Sequence, residues 1–250
     1  MNATVVAVFA FAGILGMTLL GMRLHSSLPG HQLNPETKET VRLGMGLVAT
    51  MTALLLGLLI ATAKGSYDAQ RSQVIQMAGK ISYLERVLSL YGPETAEIRP
   101  LLRASTEGMV QKLWSDRSSP AAPVDTVAAA QALYSSIHKL APQNDEQRAL
   151  KDQALDTVID IAKTRWLLVA QSDTSIPKTL LIMVVVWLAI IFLSFGLFAP
   201  TNKTVVVTMI IVSLLVSSAL FLILELDRPF DGVIQVSSAP MRNALGNLGH

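Results

Sequence analysis

The chain has 250 residues, a formal net charge of +2 and no cysteine. A balance this near neutral gives no ground for nucleic-acid binding, and the missing cysteines exclude disulfides, thiol catalysis, zinc–thiolate sites and iron–sulfur clusters. Hydrophobic residues make up 51%, charged residues 15%, and the mean hydropathy is +0.47, which are values of a membrane protein.

Four apolar stretches follow one another at residues 3–24, 41–63, 179–199 and 205–224, with charges only at their ends, where Arg23 and Arg42 stand. About 20 apolar residues in a helix cross a hydrocarbon core of about 30 Å. Such continuous runs are not the alternating strands of a barrel, so each predicts a transmembrane helix. The first run has no basic residue before it and exceeds a signal-peptide core, so it reads as a retained span.

Residues 26–34, with Leu28-Pro29-Gly30, read as a loop, and Asn34-Pro35-Glu36 as a capped helix start. The helix of the second span does not stop at Lys64. Val74, Met77, Ile81, Leu84 and Leu88 continue at a spacing of three or four, until Gly92-Pro93 ends the helix near Tyr91. Soluble helices are expected at 94–114, with Pro100 as a kink or a first-turn residue, at 125–140, and at 145–171 behind an Asn144 cap. A linker over 115–124 separates the first two. Pro177 introduces the third span, and Pro200-Thr201-Asn202 turns into the fourth.

The fold class is therefore all-α: four transmembrane helices with a helical domain inserted between the second and third. The divisions are 1–63 for spans one and two, 64–178 for the helical domain, 179–226 for spans three and four, and 227–250 for a C-terminal segment. With four spans, both termini and the inserted domain share one side. That side carries Lys64, Arg71, Lys80, Lys163, Arg165, Lys178, Arg228 and Arg242 near the membrane, against Arg23, Lys38, Arg42 and Lys203 opposite. The excess places the termini and the domain in the cytoplasm.

Several features have the residue types for function. At 100° per residue, Gly46, Thr50, Ala53, Gly57, Ala61 and Lys64 fall within about 80° on the second span. Small residues let helices pack closely in lipid, and they also suit a narrow pore wall shared by several copies. Glycine and proline in Ser194-Phe195-Gly196-Leu197-Phe198-Ala199-Pro200 read as a helix terminator. Ser213, Ser217 and Ser218 either hydrogen-bond across helices or have a plain structural role in the span. Glu225, Asp227 and Asp231 surround Arg228, and serve either as its ion-pair partners or as a cation or ion-pathway contact. The scattered His25, His31, His138 and His250 give no metal site. No nucleotide-binding or nucleophile motif is present, and no mid-membrane acid of the kind proton-coupled carriers use. No enzyme activity and no cofactor is expected.

A set of motifs carries a family resemblance: Leu28-Pro29-Gly30-His31, Val41-Arg42-Leu43-Gly44 with Gly46-Leu47-Val48-Ala49, Ala63-Lys64 with Ser66-Tyr67, and Thr164-Arg165-Trp166-Leu167-Leu168. The third-span ending, Glu225-Leu226-Asp227 with Pro229-Phe230, and Ser237-Ser238-Ala239-Pro240 complete it. Together they resemble a bacterial family of bestrophin-like membrane proteins, over nearly the whole chain. The layout is also similar to that of true bestrophins, which are pentameric anion channels with four spans, cytosolic termini and a helical insertion. The resemblance implies that the second span, 46–64, lines a pore. Two departures stand against a full transfer. Pro229-Phe230-Asp231-Gly232 is only similar to the bestrophin Pro-Phe-Gly, and no acidic run follows it, so calcium gating does not carry over. The span 41–63 has no aromatic residue to form a phenylalanine neck.

The leading expectation is a homo-oligomeric ion channel of the bacterial inner membrane, a pentamer by resemblance. Its partners are the lipid bilayer and inorganic ions, anions favoured. The competing expectation is a non-conducting scaffold whose helical domain binds a protein.

Overall fold

The computed structural model describes residues 3–27, 35–114, 126–171, 176–200 and 202–248. The expected loop over 28–34, Asn34 and the linker over 115–124 lie outside them, as do His31 and His250. Among the described residues there are helices and turns but no strand: α1 (Ala3–Ser27), α2 (Pro35–Tyr91), α3 (Ile98–Trp114), α4 (Thr126–His138), α5 (Asp145–Gln171), α6 (Lys178–Phe198), α7 (Lys203–Leu226) and α8 (Ala239–Gly246). α1, α2, α6 and α7 are each long and apolar enough to cross a membrane.

The chain divides into two compact units, Met1–Ser66 with Thr174–Asp227, and Tyr67–Asp173 with Arg228–His250. α2 runs unbroken through 57 residues. At 1.5 Å per residue that is about 85 Å, far beyond the hydrocarbon thickness, so only its first half serves as a span.

In the first unit α1 packs against α6 and α7. The tightest approach is at two glycines. A Cβ added at Gly21 would collide with the Leu193 carbonyl oxygen, and one at Gly196 with the carbonyl oxygen of Thr18. Gly196 therefore lies inside α6 as a packing residue, not as its terminator. The helix stops two residues later, where Ala199 turns to extended backbone (ψ 141°) ahead of Pro200. His25 Nδ1 bonds the Leu197 carbonyl at 2.7 Å in the same contact. Asn202 then caps α7, its side chain accepting from the Val205 amide at 2.8 Å.

The second unit has a single apolar core. Val74, Met77, Ile81, Leu84 and Leu88 of α2 meet Leu102 and Met109 of α3, Leu133 and Ile137 of α4, and Ala154, Val158 and Leu168 of α5. α2 ends at Gly92, whose φ of 126° only glycine adopts readily. A short turn at Pro93–Thr95 intervenes before α3, and Pro100 sits in the first turn of α3, where its missing N–H costs nothing. Thr95 locks the turn, its hydroxyl donating to the Leu88 carbonyl at 2.7 Å. Asn144 caps α5 by accepting from the Gln147 amide at 2.7 Å. The C-terminal segment belongs to this core. Trp114 donates to the Val236 carbonyl at 2.7 Å and meets Phe230 edge-on, and Met241, Ala244 and Leu248 are buried.

Candidate functional site

The membrane part of α2 has an inner and an outer side. Thr52, Leu59 and Ala63 are buried, and they mark the side turned inward. Gly46, Thr50, Ala53, Gly57, Ala61 and Lys64 are all exposed. A Cβ added at Gly46 or Gly57 would meet nothing within 4 Å. The chain's own helices therefore leave the small-residue face uncovered, and packing within one chain does not account for it. The exposed arc has a second half, a ridge of Leu43, Leu47, Met51, Leu54 and Leu58. Nothing in the sequence distinguishes this ridge, because leucine is the commonplace residue of any span. Thr50 turns its hydroxyl to its own backbone, donating to the Leu47 carbonyl at 2.7 Å, so the face is smooth and uncharged down to Lys64.

The serines of α7 divide. Ser218 donates to the Leu215 carbonyl at 2.7 Å, while Ser213 and Ser217 are buried and their hydroxyls make no hydrogen bond. Their small size lets α7 pack closely, which is the structural role, and among the described residues neither bonds another helix. Glu225 is buried at the end of α7, Asp227 caps that helix, and Asp231 is exposed; each of the three already has a partner. Among the described residues no three histidine, aspartate or glutamate side chains cluster closely enough to hold a metal ion.

The helical unit offers a cavity of about 480 Å³, walled by core residues such as Leu102, Leu133 and Val158, with Tyr134, Arg165 and Trp166 at its edge. Trp166 is 65% exposed, and Leu167 51%. The unit's polar interactions are structural in character. Arg99 pairs with Glu85, Nε to Oε1 at 2.6 Å, and Lys80 lies 3.4 Å from Asp160. The Lys80 ammonium, helped by Lys163, holds the Asp160 carboxyl below its ordinary value.

The Bestrophin-like domain matches residues 6–241. No functionally curated protein is similar in sequence. Among solved structures the chain is similar to a bacterial bestrophin homologue from Klebsiella pneumoniae, at 16% identity over 96% of both chains and a TM-score of 0.71. A variant of that homologue shares 17% identity over 99% of this chain and 97% of its own, again with a TM-score of 0.71. A membrane-protein variant gives 17% identity, coverage of 97% and 96%, and a TM-score of 0.67. At such identities the likeness is one of fold.

Proposed function

This chain belongs to the bestrophin-like family, and from that premise we propose that it assembles into a homo-oligomeric ion channel of the bacterial inner membrane. The observation that carries the reading is the uncovered face of α2. Five residues, Gly46, Thr50, Ala53, Gly57 and Ala61, present small uncharged side chains to the outside of a membrane-level helix, followed at one end by Lys64. A polar threonine and bare glycine backbone gain nothing from facing lipid tails, whereas around a shared axis they form a narrow wall. The leucine ridge beside them supplies the surface for lipid or for a neighbouring copy. Anions are favoured because that face carries no carboxylate and Lys64 raises the local concentration of negative ions at its mouth. Five copies follow from the resemblance to bestrophins. The positive-inside excess supports cytoplasmic termini and a cytoplasmic helical unit. Recording from purified protein in planar bilayers tests the proposal. Step-like currents whose reversal potential follows the chloride gradient are expected, and silence across voltage, salt and calcium overturns it.

A second reading has its own observation. Ile159, Trp166 and Leu167 are exposed apolar residues on α5, beside the 480 Å³ cavity. That surface suits a non-conducting scaffold whose helical unit binds a protein. Replacing Trp166 with alanine separates the two readings: a scaffold loses its co-purifying partner, while a channel keeps its conductance per pore.

A further inference from the structure

The end of the spans that carries the α1–α2 and α6–α7 connections holds a cavity of about 410 Å³. It is lined by Lys38, Arg42, Met45 and Ala49 of α2 and by Phe195 and Phe198 of α6, with no carboxylate among its lining residues; Gly46, the end of the small-residue face, borders it. Lys38 and Arg42 stand one turn apart on the same side of α2. Like charges at that spacing repel each other mildly, and an anion held between them relieves the repulsion. Among the described residues neither makes a hydrogen bond or an ion pair, and no carboxylate lines the cavity between them.

The cavity continues below the charged end. From Lys38 to Ala49 is eleven residues along α2, about 16 Å of rise. That matches the depth of one leaflet, half of about 30 Å. Besides the two cations the walls are mainly apolar, of thioether, methyl and aromatic side chains, with Met209 of α7 among them. A free inorganic anion would use the cationic end alone and leave the apolar length empty. A molecule with a negative head and a hydrocarbon tail uses both.

We infer that this cavity binds an anionic phospholipid, with the phosphate between Lys38 and Arg42 and one acyl chain along Met45, Ala49, Phe195 and Phe198. The head carries net negative charge, because two cations with no carboxylate give no counterpart to a choline or ethanolamine ammonium. The inference is independent of conduction, since a lipid site serves a scaffold as well as a channel.

Native mass spectrometry of the full chain, delipidated and then titrated with phosphatidylglycerol or phosphatidylcholine, tests it. The wild type is expected to retain phosphatidylglycerol about ten- to thirtyfold more tightly, the effect of two basic residues at a membrane surface. Lys38→Ala/Arg42→Ala is expected to bring the two lipids to parity with the subunit count unchanged. Arg42 is exposed and Lys38 only half-buried, so the protomer keeps its fold. Ala49→Trp, which fills the tail path and leaves both cations, is expected to lose phosphatidylglycerol as well. Undiminished preference in the double variant overturns the inference. Displacement of the lipid by millimolar inorganic phosphate reduces the site to a simple anion site and overturns it too. Lipid loss seen only together with dissociation assigns the two cations to a subunit contact, and the lipid site falls in that case as well.

Discussion

Gly21 of α1 and Gly196 of α6 lie where two membrane helices touch backbone to backbone, each placed so that a single added carbon would enter the other helix. With lipid tails as apolar as the helices themselves, close van der Waals approach is the main force holding such spans together. Gly196→Ala should therefore lower the stability of the first unit by about 1–3 kcal/mol, the range for overpacking. Gly13→Ala on α1, whose added Cβ meets nothing within 4 Å, should be neutral or slightly stabilising. Thermal unfolding in detergent compares the two, and equal effects would show that the crossing is not tight.

The buried hydroxyls of α7 make the opposite case. Ser213 and Ser217 have no hydrogen bond to lose. Removing a buried polar group that lacks a partner relieves its desolvation cost. Ser213→Ala should leave stability unchanged or raise it by up to about 1 kcal/mol. A clear loss in the unfolding midpoint would mean that the hydroxyl bonds a neighbouring copy or a bound water.

The two units differ in how legible they are from sequence. In the helical unit the spacing of Val74, Met77, Ile81, Leu84 and Leu88 names a buried face, and all five are at most 1% exposed. Water enforces that pattern, since polar residues must alternate with apolar ones around the helix. Inside the membrane no such contrast exists. Leu54 and Leu59 look alike in sequence, yet Leu54 is 75% exposed and Leu59 only 4%. Gly196 reads as part of a terminator because it stands close before Pro200 at a span end, and sequence alone does not separate a capping glycine from one that lets two helices touch. α8 leaves no trace in the pattern, since eight residues are too few for a period to stand out. Its burial depends on a core gathered from far away in the chain.

Arg99 and Glu85 join α3 to α2 through a largely buried ion pair, with the glutamate side chain only 10% exposed. Removing one partner leaves the other charge desolvated and uncompensated. Arg99→Ala should cost about 2–5 kcal/mol in the helical unit. Glu85→Gln/Arg99→Met, which removes both charges, should recover most of that loss. Chemical denaturation followed by Trp114 and Trp166 fluorescence reads both variants.

Asp160 gives a pH dependence with a defined sign. Lys80 lowers its carboxyl from the ordinary value of 3.8. A depressed folded-state value means that the contribution is present above about pH 4 and is lost as pH falls through the lower folded value. Both groups are substantially exposed, so the effect is small and screened by salt. The stability difference between wild type and Lys80→Met should be constant near neutrality and shrink below about pH 4. A difference that grows in acid would contradict the assignment.

Thr50 decides what the uncovered face of α2 is for. It is exposed in the protomer, sits midway along the small-residue face, and belongs to a chain without a native cysteine. Thr50→Cys barely changes volume and gives up only a bond from the side chain to its own helix, at 2.7 Å from Leu47. A thiol reacts as the thiolate, which forms in water and is suppressed in lipid or in a dry interface. If the face lines a pore, a small water-soluble methanethiosulfonate should modify residue 50 and alter the current. A cationic reagent should reduce cation flow and an anionic one anion flow, which also reads selectivity. Cysteine at Ser66, near the end of the span, controls for reagent access. Modification of that control with an inert residue 50 would confine the face to helix packing, and with it the wall proposed from Gly46 to Lys64. Modification at both positions without any change in current would leave a wetted surface that does not conduct, and would move the balance to the scaffold.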